Sequence, residues 1–319
     1  MKIIKYLCAL ILIASISVLV LSCTASEHPE QSSLPAQENN IPASSDPSQV
    51  ATAENAQSPS SANDLDWLIR ITDAAGAEFW SFNESMLEQT MHDSLFTHVY
   101  STINRWPTPR IFAAEGYVIA DILDSVGLLD TAQTITFRAV DGYEISLTRQ
   151  QLLSPQYFYP QVAENAIGAA PVFPIIAFRL ADDASHLDAL ISTNPTLIIG
   201  QSNPFEQTNH AFVIGVHEIV VDSAPSDTWA APGTFPIQGE IPIGDTVRLQ
   251  HPNLGLVHIF YTIDGSDPTP FSTLFNPSAF RPELTESIHI TEPVIISTFA
   301  RGFGKNDSDI AIFEFTPIP

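Results

Sequence analysis

Asn104, Arg105, Trp106 and Arg110 fall in one short stretch, NRWPTPR. Two guanidiniums in one loop match the forked hydrogen bonding that holds carboxylates, phosphates and other anions. They stand out because the chain has 12 basic residues against 36 acidic ones. That imbalance also supplies a plainer expectation, which is the preferred one: Arg105 and Arg110 are surface partners for some of the many carboxylates. His98, just upstream, has the chemistry to titrate or ligate, but a histidine inside an alternating strand is more often simply packed or exposed. No second His or acid at ligand spacing accompanies it. Glu164, Asp182, Asp183 and Glu206 offer paired carboxylates, yet acids are so numerous that no pair is informative. The chain has no G-x-S-x-G, H-E-x-x-H or Walker pattern.

The elements that would position this loop are readable in part. Residues 95–100 alternate and predict a strand, and Pro107 and Pro109 break regular structure in the loop that follows. Upstream, 67–71 and 78–82 predict strands around a turn at Ala74, Ala75 and Gly76. Ser85 and Glu88 fit a capping box opening a short helix. Downstream, Ile119, Ile122, Leu123 and Val126 lie on one face of a 3.6-residue period, and Gly127 supplies a C-terminal stop. Asp121 and Asp124 fall on the other, solvated face. Residues 134–137 and 143–147 flank Asp141-Gly142, a strong hairpin signal. Thr148 and Gln151 form a second capping box. Further strands are expected at 172–180, 195–199 and 211–221. Residues 64–223 therefore predict a mixed α+β domain of ordinary size.

Several short motifs carry a resemblance. Residues 116–123, GYVIADIL, resemble the "G-V-x-L-x-D-L-L" helix of the sulfite oxidase family's molybdopterin-binding domain. The Asp-Gly-Tyr hairpin at 134–147 resembles that of the same domain, PIIAF at 174–178 its "ilAy" strand and FVIGVHEI at 212–219 its "W-V-x-x-V-x-x-I" strand. The resemblance implies that fold and, in members that do oxygen-atom chemistry, a molybdenum-ligating cysteine just before the loop leading to the Gly116 helix. The corresponding region, HVYSTIN, has Ser101 and Thr102 instead. A neutral hydroxyl does not casually replace a soft sulfur ligand. The candidate anion or ligand pocket in this region comprises Ser101, Asn104, Arg105 and Arg110, with no catalytic residue and no metal ligand assigned.

A Pro/Ala/Gly-rich linker, SAPSDTWAAPG, spans 223–233, and beyond it the pattern becomes all-β. Strands are expected at 246–249, 257–263, 294–301 and 310–315. YTIDGSDPT at 261–269 resembles the "Y-T-x-D-G-S-x-P-T" signature of the chitobiase/β-hexosaminidase C-terminal-like β-sandwich, and VIISTFAR at 294–301 with GKNDS at 304–308 resembles its closing hairpin. The resemblance covers 233–319 and implies an immunoglobulin-like sandwich acting as an accessory module. Asp264, Asp267, Asp307 and Asp309 have no EF-hand spacing and are expected to form turns. Phe260, Phe271 and Phe275 are expected in the core, with sugar stacking as the alternative.

The N-terminus supplies the address. Residues 1–22 have a basic start, Lys2 and Lys5, and an apolar run over 7–21. They end in VLSC, which looks like a bacterial lipobox, so the leader is expected to be cut before an acylated (palmitate-bearing) Cys23. No Arg-Arg pair is present, which points to Sec export, whereas cofactor-loaded enzymes generally leave folded by the twin-arginine route. The only other cysteine, Cys8, would leave with the leader. Residues 23–63 are rich in Ser, Pro, Ala, Gln and Asn and are expected to be a disordered tether. The net charge of −24 argues against nucleic acid and against electrostatic attachment to anionic lipid.

The sequence thus predicts an α+β mixed domain of the sulfite-oxidase-type molybdopterin-binding kind plus a C-terminal all-β immunoglobulin-like sandwich. It predicts a lipid-anchored protein on the extracytoplasmic face of a bacterial membrane, leaning away from catalysis. Its partners would be the membrane through the anchor and an envelope ligand, glycan or protein. The alternatives are a molybdopterin-dependent oxidoreductase holding its pterin through Arg105 and Arg110, and a glycan-binding accessory protein. No cofactor is expected under the first reading; molybdopterin enters only under the second.

Overall fold

The strand at Leu95–Ile103 is longer than its alternation suggested, and it pairs along its whole length with a second strand, Pro109–Val118. These coordinates are a computed structural model that describes residues 67–278 and 280–319. The expected leader, Cys23 and the tether lie outside the described residues. The described chain is mostly β, and its α-helices are short: Glu84–Thr90, Ile119–Ser125 and Arg149–Leu153. The expected α+β mixture is therefore corrected towards β. Among the described residues, no helix is long and apolar enough to cross a membrane.

The Pro109–Val118 strand is the main departure from expectation. Residues 116–118 were expected to open a helix, and Pro109 to lie in irregular chain. Instead, Pro109 is the first residue of the strand, where a missing N–H is tolerated, and the helix begins only at Ile119. Gly116 sits at a register shift against the Ile175–Asp182 strand. A Cβ there would lie 2.0 Å from the Ile176 carbonyl oxygen, so only glycine allows the two backbones to approach. The second correction concerns the first helix. Its cap is Asn83, whose side chain accepts the Met86 N–H at 2.9 Å, rather than Ser85 with Glu88.

Other local signals coincide with structure. Gly142 turns the 134–148 hairpin at φ 87°. Thr148 and Gln151 form the reciprocal capping box of the Arg149–Leu153 helix. Ile119, Ile122 and Leu123 are fully buried, as their spacing predicts.

Two sheets enclose the main core. One runs in the order Glu78–Phe82, Ile69–Asp73, Val216–Asp222, Thr134–Ala139, Glu144–Thr148; its only parallel pair joins Ile69–Asp73 to Val216–Asp222. The other is antiparallel and runs Val213–Ile214, Ile191–Ile198, Ile175–Asp182, Pro109–Val118, Leu95–Ile103. The Ile119–Ser125 helix lays its apolar face into the core these sheets share, beside Phe137, Ile219 and Ile176. The remaining strands form a sandwich. A three-stranded sheet (Gly233–Phe235, Thr246–Gln250, Ile288–His289) and a five-stranded one (Gly239–Pro242, Ala311–Ile318, Val294–Arg301, His258–Thr262, Thr273–Leu274) share a core of Val247, Leu249, Ile259, Ile296 and Phe315. The described residues of both parts belong to one compact unit.

Gly116→Ala is expected to destabilise the chain by about 1–3 kcal/mol, because the obstructing atom is backbone and cannot rotate away. Urea unfolding should show a lower midpoint at unchanged slope; a midpoint equal to the parent's would contradict the close approach.

Candidate functional site

The structure separates the predicted pocket residues. Ser101 is fully buried; its hydroxyl donates to Gln201 Oε1 at 2.5 Å and accepts the Tyr159 N–H at 2.8 Å. Thr102, also buried, is bonded to the Thr208 hydroxyl at 2.7 Å. Asn104 organises its own loop, accepting the N–H groups of Trp106 and Thr108 at 2.9 Å each. Arg110 pairs with Asp182 and, at 3.7 Å, with Asp183, while lying over the Phe112 ring. It is thus the surface partner of carboxylates that the plainer expectation described. Of these residues, Arg105 lines a cavity.

That cavity is a cleft of about 390 Å³ between the two-sheet part and the sandwich. Leu147, Ile199, Leu256, Phe260 and Phe303 supply apolar wall, and Arg105, Ser202, Glu206, His210, His258 and Arg301 supply polar groups. Hydrogen bonds from Gln151, Gln207 and Ser278 hold the two parts across it, beside a His210–Phe303 ring contact at 5.4 Å. Gln151, already a helix-cap residue, donates to Gly302 O at 2.8 Å and Lys305 O at 3.1 Å, and accepts the Gly304 N–H at 3.0 Å. Gln207 donates to Pro277 O. Ser278 donates to Arg105 O at 2.6 Å. Outside the cleft, Trp106 stacks on Phe280 with ring centroids 5.9 Å apart.

The charges of the cleft differ in their commitments. Arg301 faces Asp307 at 3.6 Å, and the Glu206 carboxylate accepts the Ser202 N–H. The Arg105 guanidinium has no ion pair or hydrogen bond among the described residues, although it stands in a strongly acidic chain. Burial, then Arg105, then His258 push the His210 pKa down to about 3. Burial pushes His258 down to about 4, against an opposing backbone hydrogen bond from Asn276 and with a smaller lowering contribution from Arg105. Both rings are therefore neutral at pH 7. The Nδ1 atoms of His210 and His258 and the Oγ of Ser202 are buried without a hydrogen-bond partner.

Sequence reasoning missed all three of these groups. No motif links Ser202, His210 and His258, and no residue pattern marks them; the chain return from sheet to sandwich brings them to one cavity. His98 is packed between Phe96 and Phe158, as the commoner expectation had it. Phe260 and Phe275 are buried, but Phe271 is 71% exposed and contributes to the cleft wall.

A soft metal does not fit the position that the family resemblance assigns to it. The groups there, Ser101 and Thr102, are neutral hydroxyls already committed inside the core. Among the described residues, no group of three or more His, Cys, Asp or Glu stands together in a metal-holding cluster.

The two depressed histidines have a consequence for stability. Their folded pKa values lie below the unfolded value, so the unfolded chain binds more protons as pH falls. The neutral rings' contribution is complete above about pH 6.5 and is lost progressively as pH falls towards their folded values of about 4 and about 3. The slope between pH 6 and 5 approaches ~2.7 kcal/mol per pH unit for two protons. Urea unfolding of the parent and of a His210→Gln/His258→Gln variant over this range checks it: the variant's dependence should be shallower, and identical slopes would contradict the burial of these rings.

Comparisons with known proteins bear on the sandwich. Residues 236–312 match the family model described as the chitobiase/beta-hexosaminidase C-terminal domain. No curated protein matches the chain. Among solved structures, the crystal structure of the sulfane dehydrogenase SoxCD from Paracoccus pantotrophus aligns at 9% identity over 78% of this chain and 75% of that one, with a TM-score of 0.29. That score is too low to establish a shared fold, and the match within 236–312 is what the comparisons contribute.

Proposed function

We propose that this chain is a cell-envelope lipoprotein that binds a ligand rather than turning one over, and that the cleft between its two parts is the binding site. The observation that carries this reading is the convergence of Arg105, Ser202, His210 and His258, all without protein partners for the groups named above, on one largely apolar cavity. Its volume is within the usual range for small-molecule sites. Buried polar groups without partners are costly in a native core and are commonly satisfied by a ligand or water.

The same reading takes 64–223 as a degenerate molybdopterin-oxidoreductase-like domain and the sandwich as its accessory module. Its support is the residues quoted at 116–123, 134–147, 174–178 and 212–219, together with a sequence whose only cysteines are Cys8 and Cys23. The anchor is supported by the lipobox-like VLSC and the composition of 23–63. A second reading, glycan binding, is favoured by the aromatic surface: Trp106 is 58% exposed, Phe280 50% and Phe271 71%. Its support also includes the sandwich's similarity to a family named after chitobiase.

Two experiments test the proposal. The full chain, purified from its native host and denatured, is expected to release a small molecule in near-stoichiometric amount and no stoichiometric molybdenum, by mass spectrometry. Gly255 borders the cleft and has open space at its Cβ, so Gly255→Trp should obstruct the cleft and abolish the release. Stoichiometric molybdenum, or release unaffected by Gly255→Trp, would overturn the reading. For the anchor, Cys23→Ser should move the protein from the membrane to the soluble fraction or block its processing; unchanged fractionation and processing would count against lipidation.

A further inference from the structure

We infer that the cleft recognises a small organic monoanion: a carboxylate carried on an apolar or aromatic body, its charge met by Arg105 and its oxygens by Ser202, His210 and His258. This rests on the cleft being a binding site.

The anionic half of the inference comes from charge complementarity. Other arginines of this chain, among them Arg70, Arg110, Arg138, Arg149 and Arg179, are paired with carboxylates. Arg105 and Arg248 have no such pair among the described residues, and of these two Arg105 is the one that borders the cleft, in a chain where acids outnumber bases threefold. A guanidinium against apolar wall binds a carboxylate more strongly than it would at an open surface, because water screens the pair less. The orphaned atoms agree. Ser202 Oγ carries a hydroxyl proton, and each neutral imidazole carries one N–H that its tautomer can place on Nδ1. All three are therefore able to donate to carboxylate oxygens. The one carboxylate in the cleft, Glu206, is turned to the Ser202 backbone N–H.

The apolar half comes from the remaining lining. Five side-chain amides border the cleft, and the backbone engages every one. Gln151 is held by residues 302–305 and Gln156 by Gly200 N and Gln151 O. Asn203 is held by Phe205 N, Gln207 by Pro277 O and Asn276 by Ile259 N and Val257 O. Recognition of a sugar ring needs many free amides and hydroxyls, and each of these amides already has at least one backbone bond. What remains for the body of the ligand is aliphatic and aromatic surface. The volume limits that body to a small molecule rather than a polymer chain.

The test is calorimetric titration of the full chain at pH 7.5 with benzoate and octanoate, with their neutral isosteres benzamide and octanamide, and with inorganic phosphate. Benzoate or octanoate is expected to bind at least about tenfold more tightly than its amide, and phosphate not to compete. Arg105→Gln should remove that preference, Arg105→Lys should retain part of it, and Arg281→Gln, a surface pair with Glu283, should leave it intact. Melting temperatures of the variants guard against misfolding. Amides binding as tightly as acids, or a preference that survives Arg105→Gln, would overturn the anion inference and leave the cleft as a binding site. Competition by phosphate would assign the cleft to inorganic anions instead. Binding of none of these probes at millimolar concentration would overturn the anion inference, while ligand release from the native protein would still decide the broader reading.

Discussion

The carboxamide of Gln151 is the contact on which the geometry of the cleft depends. Its oxygen accepts the Thr148 and Gly304 N–H groups, and its nitrogen donates to the carbonyls of Gly302 and Lys305. One side chain therefore caps a helix of the two-sheet part and fixes a hairpin of the sandwich. Each such bond contributes only about 0.5–1.5 kcal/mol net, but an amide left unpaired in this partly buried place would cost more than it gained. The bonds also fix direction, which apolar contact alone does not. Gly302 reinforces this, since a Cβ there would lie 2.5 Å from Leu256 O on the sandwich side of the cleft.

Electrostatics follows from the same arrangement. In a chain of net charge −24, arginines are readily covered by carboxylates, and most such surface pairs add little to stability. Arg179 is held between Glu84 and Glu115, and Arg138 between Glu144 and Glu218. Arg105 escapes this because its loop, tied by Asn104 and by Ser278, borders the sandwich rather than an acidic sheet face. Burial, with the field of Arg105 as a lesser contribution, keeps His210 and His258 neutral.

Local rules accounted for much of the fold. The Asp141-Gly142 hairpin, the Thr148–Gln151 capping box and the apolar stripe of Ile119, Ile122 and Leu123 all depend on neighbours within a few residues. The Pro109–Val118 strand was not legible because its identity depends on partners far along the chain. Residues such as Ala113, Ala114 and Gly116 have no strong strand preference and are strand because Leu95–Ile103 and Ile175–Asp182 flank them. Asn83 is masked as a cap by Ser85 and Glu88, which present an equally regular pattern two residues later. Of the predicted pocket, only Arg105 lines the cavity, since strand alternation and loop closure turned Ser101 inward and Arg110 to Asp182.

By itself, the sequence determined the acidic character, the β-rich C-terminal part with its recognisable turn signature, and the scarcity of cysteine. These are properties of composition and of short windows. Tertiary structure alone decided where a ligand would meet the protein. Ser202, His210 and His258 lie on different segments, and no local rule relates them; they share a cavity only because the sandwich docks against the two-sheet part and shields their polar atoms from water. Burial and proximity between distant segments are absent from any short window of sequence, and those two quantities set both the orphaned hydrogen-bonding groups and the neutral state of the histidines.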